Sequence, residues 1–575
     1  PNPFHTSLTK WHRWCFLHMH FIILPLFTAF LSCSDLSGAD ATSFLELIDP
    51  EKEHHAVLFE FERLLGVGTR NVTDYRIGRL VELLKPTFHA LPKNERGRIG
   101  TGAANYALHR LFVREHGWFV KGLHASNGTW AESTPMDRVG GQADEHSHAL
   151  LARQLYSLGF GLQELALFAV AIENTIHGEK ESVLQTIYQQ LGHMPEARLS
   201  STDAANVIDV YMASYILGLR PTETTPQQLI TTIEEQHPTW HETRQFLRDV
   251  EQDVLAHKAS AVSFTEVSRI VEEAAARFGR WQSRDCMAMK VQLMQMQDIA
   301  GSGRVSLANF YHGALHGEKW QFSETVEYLR QLGALDESNP AKLHVIIPNY
   351  INSPSNCLAS SSFYAVCCIN ECDDLLQQLE NKIGGPSASP DQIVSAVSNL
   401  PPSSATPGNW KVEERLMWRL SEVADYHGSG QVPLHGRLFA QWMHHVYPQE
   451  CAYPHLSGTT QPRRPEEFEE ETDQDATATE EEMLRLIQEG HQHRSNTTAF
   501  DELDACSSMW VMEEELVVPE ASSAGGAPIA KRTHMSRFAM HCVAVIGAVA
   551  SLTLALAAAL APARASWANE VDWQA

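Results

Sequence analysis

Apolar residues recur with the helical period through most of the first half of the chain. Between residues 41 and 285 they predict helices at Glu51–Leu65, Tyr75–Leu84, Ala103–His116, Glu145–Leu158, Leu162–His177, Ala204–Leu219 and Phe264–Phe278. In Leu162–His177 the apolar positions Leu162, Leu165, Leu167, Val170, Ala171 and Ile176 form a stripe wide enough for a largely buried helix. Turn residues at Lys85-Pro86, Gly140-Gly141, Arg220-Pro221 and His237-Pro238 separate the runs. Long alternating strands are absent, and His344-Val345-Ile346-Ile347, closed by Pro348, is the best short one. The fold class expected is all-α, a multi-helical body of stacked amphipathic helices.

After Asp336 the texture becomes irregular. Helices are expected at Val412–Ala424 and His435–Val446, with linkers at Gly384–Pro390 and Pro401-Pro402-Ser403-Ser404.

Two loops repeat within this region. Asp298-Ile299-Ala300-Gly301-Ser302-Gly303-Arg304-Val305-Ser306-Leu307-Ala308-Asn309 follows a Met-rich helix. Asp425-Tyr426-His427-Gly428-Ser429-Gly430-Gln431-Val432-Pro433-Leu434-His435-Gly436 follows Val412–Ala424. Both have Asp first, Ser fifth, Gly sixth, Val eighth and Leu tenth. Each resembles the twelve-residue loop of the EF-hand family, in which oxygen ligands come from positions 1, 3, 5, 7, 9 and 12 and the sixth is Gly. That resemblance implies two helix-loop-helix units and calcium as cofactor. The implied ligand positions are Asp298, Ser302, Arg304, Ser306 and Asn309 in one loop, and Asp425, His427, Ser429 and Gln431 in the other. The third position is Ala300 or His427, and the twelfth is Asn309 or Gly436 instead of the bidentate Glu. Each loop therefore keeps one carboxylate, and degenerate loops binding calcium weakly or only serving as turns are expected. If the two loops pair with each other, Val305 and Val432 should face one another across a short antiparallel bridge. The stretches Tyr106–Phe112 and Tyr447–His455 also resemble a helical family of unicellular algae, which implies no activity.

Charge is unevenly spread. The 575 residues carry 44 Lys and Arg against 70 Asp and Glu, a formal net charge of −26. Such an excess repels phosphate and gives nucleic-acid binding no electrostatic support. From Gln461 to Glu520 there are 18 acids against four Arg. That density predicts a disordered acidic stalk.

The ends point to membranes. Lys10 and Arg13 precede the apolar run Cys15–Cys33, and small residues follow, as in a secretory signal. Phe538–Leu560 holds no Asp, Glu, Lys or Arg and is long enough to span a bilayer core of about 30 Å. Its basic flank, Lys531, Arg532 and Arg537, lies before it, and Ala563-Arg564-Ala565 resembles a cleavage site. Plastid- or thylakoid-type targeting, or a fusion junction at 531–565, is therefore the rival reading. The expected order is a signal-like segment (1–39), a helical domain (40–284), a Cys-containing EF-hand-like helical domain (285–460), an acidic disordered linker (461–536), a transmembrane helix (537–561) and a tail (562–575).

A lumenal or extracellular chain favours disulfides, and Cys357, Cys367, Cys368, Cys372 and Cys451 are the candidates. Asn71, Asn127 and Asn496 begin glycosylation sequons. His444, His445, Cys451 and His455 form an alternative zinc or copper cluster. Glu173 and His177 share a helix face. Pairs of the form Glu-x-x-His at Glu51/His54, Glu145/His148 and Glu234/His237 are no more than 29 histidines and 70 acids produce by chance. No Gly-x-Ser-x-Gly elbow, His-Glu-x-x-His or phosphate-binding loop occurs. The function expected is that of a non-enzymatic, single-pass membrane or secretory helical binding protein, with lipid contacts through 538–560. The alternative is a metal-dependent or redox enzyme built on the His/Cys cluster.

Overall fold

The computed structural model describes residues 70–123, 125–126, 129–130, 159–255, 261–316, 321–340, 342–358, 360–361, 363–402, 410–494 and 509–517. Helix dominates them, as the periodicity implied. The helices are α1 (Arg70–Ala90), α2 (Thr101–His116), α3 (Leu162–Gln190), α4 (Ser201–Leu217), α5 (Pro226–Gln236), α6 (Trp240–Leu255), α7 (Phe264–Gln295), α8 (Leu307–His316), α9 (Val326–Gln331), α10 (Ile347–Ile351), α11 (Glu371–Ile383), α12 (Pro390–Val397), α13 (Glu414–Tyr426), α14 (Arg437–Val446), α15 (Pro465–Thr472) and α16 (Glu480–Arg494). Several starts are written locally. Ser200 caps α4 by accepting the Asp203 amide, while Ser263 with Glu266 and Ser389 with Gln392 form capping boxes at α7 and α12.

Strands are two or three residues long: β1 (Trp118–Val120), β2 (Ala125–Ser126), β3 (Thr129–Trp130), β4 (Arg304–Ser306), β5 (Leu335–Asp336), β6 (His344–Ile346), β7 (Tyr364–Val366), β8 (Ser387–Ala388) and β9 (Val432–Pro433). Their pairing reveals a recurring device. Four antiparallel bridges join Ile99 to Phe160, Leu199 to Val262, Val305 to Val345 and Ala388 to Val432. All eight residues are buried. In seven of the eight, the next helix starts two residues later; after Val432 it starts at Arg437. Each bridge thus ties together two loops, and each of these loops leads into a helix. Helix α3 leaves the Phe160 bridge and delivers Leu199, and α7 leaves Val262 and delivers Val305.

This pairing overturns one expectation. Val305 faces Val345, Val432 faces Ala388, and the two Asp-first loops belong to different pairs. Each loop finds a partner closer in sequence, where less chain entropy is lost on closure. The expected boundary at 284/285 falls inside the continuous helix α7.

Apolar side chains gather in three large clusters. The first surrounds Phe112, Phe168, Ile208 and Phe278. The second surrounds Phe310, Tyr311, Leu329 and Tyr350, and the third Val432, Leu438, Trp442 and Tyr447. Full burial of each such side chain contributes roughly 1.5–3 kcal/mol. A buried polar node spans early and late segments. Arg110 bonds Glu380 and lies 3.3 Å from Asp373, Thr87 donates to Glu380 at 2.9 Å, and His435 reaches both Glu380 (3.2 Å) and the Tyr106 hydroxyl (3.0 Å).

The acidic segment departs from the expected disorder over 461–494 and 509–517. Phe468, Met483 and Ile487 insert into the second cluster, and α16 packs on α8. Thr325 and Ala478 exchange backbone bonds with Ala476 and Ser323. Most of the acids in these helices face solvent, so a few apolar residues at helical spacing suffice to dock it. The signal-like segment, the 538–560 span, the tail and the 531–565 junction lie outside the described residues, as do Glu51–Leu65 and Glu145–Leu158. Among the described residues no helix is long and apolar enough to cross a membrane.

Candidate functional site

The loop Asp298–Asn309 is closed by protein donors. Asp298 Oδ2 accepts the Ser306 amide (3.1 Å), and Oδ1 accepts the Asn309 side-chain amide (3.2 Å). Asn309 Nδ2 also donates to the Met296 carbonyl at 3.0 Å. Ser302 donates to the Arg304 carbonyl and to Gln297 Oε1, each at 3.4 Å, and Gln297 Oε1 also accepts the Gly303 amide at 2.7 Å. Gly303 takes φ +70°, and a Cβ there would lie 1.9 Å from the Pro448 carbonyl oxygen.

The Arg304 guanidinium pairs with Asp336 at 2.8 Å, with both side chains buried. Asp336 sits on β5, beside β6, so the ion pair joins the two loops of this unit. Across the bridge, His344 Nε2 stands 4.0 Å from Asp298. Burial lowers the His344 pKa, while Asp336 and Asp298 act in the opposite sense. Calcium requires six to eight oxygen ligands. Here the single acid of the loop meets N–H donors at both oxygens, so these residues do not fit the cation.

The second loop is closed from outside. His427 Nε2 meets Glu514 Oε2 at 2.8 Å, and Glu514 Oε1 accepts the Leu438 amide at 3.1 Å, in the first turn of α14. Glu514 belongs to the segment 509–517, which Arg437 grips through Glu513 and Val511 carbonyls. A side chain at Gly436 would collide with the Glu514 carboxylate, at 2.8 Å. Gln431 Oε1 accepts the Ser387 hydroxyl (2.8 Å) from the paired loop, and the Ser429 hydroxyl turns to the Gln431 carbonyl (3.4 Å). Asp425 is exposed.

The alternative metal cluster does not assemble. Cys451 is in a disulfide with Cys372, which removes its thiolate as a ligand. His444 Nδ1 donates to the Cys451 carbonyl (2.8 Å), His455 Nε2 to the Gly333 carbonyl (2.8 Å), and His445 lies against the Trp510 ring. Among the described residues no group of three or more His, Cys, Asp or Glu is disposed to hold a metal ion. Glu173 and His177 also take separate partners. Glu173 pairs with Arg76 at 2.7 Å, and His177 lies 3.5 Å from Glu272.

All five candidate cysteines are bridged, and Cys286 joins them. The pairs are Cys286–Cys368, Cys357–Cys367 and Cys372–Cys451. The adjacent Cys367 and Cys368 take different partners. Of the sequons, Asn71 lies in the first turn of α1, while Asn127 and Asn496 lie outside the described residues.

No protein-family model, curated protein or solved structure matches the chain. The sequence reading missed Cys286, Gln297, Asp336, His344 and Glu514, all remote from the Asp-first motif or outside its twelve positions. It also missed the bridges, although a signal exists for them. Six of the eight bridging residues are followed by Ser or Gly and then a helix: Ile99-Gly100, Phe160-Gly161, Leu199-Ser200, Val262-Ser263, Val305-Ser306 and Ala388-Ser389.

Proposed function

We propose that the chain is a non-enzymatic binding or interaction protein, built from paired EF-hand-like units whose loops hold their shape without calcium. The observation that carries this reading is the Asp298 carboxylate, which takes the Ser306 and Asn309 N–H groups in the place of a cation. The bridge Val305–Val345 supports it, because the eighth loop position is the one expected to pair. Three disulfides favour an oxidising lumen or the extracellular side, with 538–560 as the anchoring span. A loop relieved of its ion becomes a rigid corner between helices, and the protein presents helix faces to partners. Calorimetric titration of the full chain with calcium tests this. Neither heat nor a thermal shift at millimolar calcium is expected, and saturable micromolar binding would refute the locked-loop reading.

A further inference from the structure

A cavity of about 330 Å³ opens where α3, α4 and β7 meet the segments after β1 and before α15. That volume lies within the range of small-molecule sites. Its buried lining is unusual for a chain of net charge −26. Lys180, on α3, is only 7% exposed. Its ammonium lies 4.7 Å from the centre of the Trp118 ring and makes no hydrogen bond or ion pair with the described residues. Burial brings its pKa down to about 8, against the raising influence of Glu272, Glu173 and Glu179.

Three phenols complete the buried wall. Tyr364 donates to the Tyr215 hydroxyl at 3.0 Å. Tyr211, 3% exposed, stacks on Tyr215 one helical turn away and gives its hydroxyl no partner among the described residues. Burial raises all three phenol pKa values, so they remain protonated hydrogen-bond donors. Lys121 and Arg220 stand at the exposed edge. Arg464 lines the cavity while held 3.0 Å from Glu467. The one lining carboxylate, Glu179, accepts the Ser361 hydroxyl.

We propose that this cavity binds the oxyanion of a small organic molecule, a carboxylate or phosphate monoester on an aromatic or similarly apolar body. Lys180 and Tyr211 receive the oxyanion, and the tyrosine rings with Val183 and Leu219 receive the body. A buried cation that no carboxylate contacts directly is costly, and an incoming anion lowers that cost. A charge-assisted hydrogen bond to a protonated phenol adds direction. The site stands apart from the loops and does not depend on how they treat calcium.

Calorimetry on the full chain with phenyl phosphate, benzoate and benzyl alcohol tests the proposal. One-site binding of phenyl phosphate or benzoate is expected, with the tighter ligand naming the oxyanion and benzyl alcohol not binding. Lys180→Met should weaken binding by about tenfold or more, and Tyr211→Phe by a few-fold. Failure of both anions to bind at about 10 mM, equal binding of benzyl alcohol, or unchanged affinity in both variants would overturn it. If Lys180→Met does not fold, acetylation of the unaltered chain decides instead. Phenyl phosphate or benzoate should slow modification of Lys180 relative to the exposed Lys85, and equal rates with and without both anions would overturn the proposal.

Discussion

The side-chain amide of Asn309 donates to the carboxylate of Asp298 across 3.2 Å, so the last position of the loop closes on the first. An EF-hand would bring those two positions together through a shared cation. Here an amide hydrogen does the same work.

Adding an acid at residue 309 should create metal dependence. Asn309→Glu replaces a donor by a second carboxylate, and the two anions repel in the absence of metal. The variant is expected to melt lower than the parent without calcium and to regain stability with millimolar calcium. A chelator should leave the parent Tm unmoved. Equal calcium shifts in parent and variant would contradict the account of this loop.

The Arg304–Asp336 pair is buried at 2.8 Å. Arg304→Met should cost about 3–5 kcal/mol, because Asp336 is left charged and unpaired. Adding Asp336→Leu should recover a substantial part. Denaturant titration of the single and double variants measures both, and a loss under about 1 kcal/mol in the single variant would count against the pairing.

Gly303 combines φ +70° with the close approach of Pro448. Gly303→Ala is expected to cost about 1–3 kcal/mol. A neutral effect on the unfolding midpoint would mean that the loop relaxes freely around residue 303.

Buried histidines predict acid sensitivity. Burial lowers the pKa of His435, His444 and His455, and brings His445 to about 4. Unfolded histidine titrates near 6.5, so below that pH the unfolded chain binds protons that the folded chain refuses. Stability should be full above about pH 7 and fall progressively as pH drops toward the folded values. Glu380 adds a second loss at lower pH. Burial raises its pKa, but Arg110 and His435 outweigh burial and bring it to about 2. Thermal melts from pH 7.5 to 2 measure both losses, and His445→Gln should flatten the slope above about pH 4. A Tm that rises on acidification would reverse the sign of this argument.

Reduction should expose the staples. Each disulfide is expected to contribute about 2–4 kcal/mol. Non-reducing peptide mapping should recover Cys286 with Cys368, Cys357 with Cys367, and Cys372 with Cys451. Six free thiols in the mature protein would remove the main support for an oxidising compartment.

Periodicity made the helical class legible, because an amphipathic stripe is a local property of one segment. Leu162–Gln190 and Phe264–Gln295 extend the runs predicted at their starts, while Pro226–Gln236 and Trp240–Leu255 are not among the predicted runs. The Asp-first loops were legible as turns, since Gly303 and Gly430 both take positive φ. The cysteine cluster was legible as a disulfide set, but its connectivity was not.

Which residues meet was a different kind of question. Val305 finds Val345, Cys286 finds Cys368, Glu514 reaches His427, and Lys180 stands beside tyrosines from two other elements. Helix formation depends on neighbours three and four positions apart, which the chain carries in its own order. Bridges, disulfides and cavity walls depend on which distant segments pack together. That choice arises when many apolar faces are buried at once, so no single stretch of residues records it.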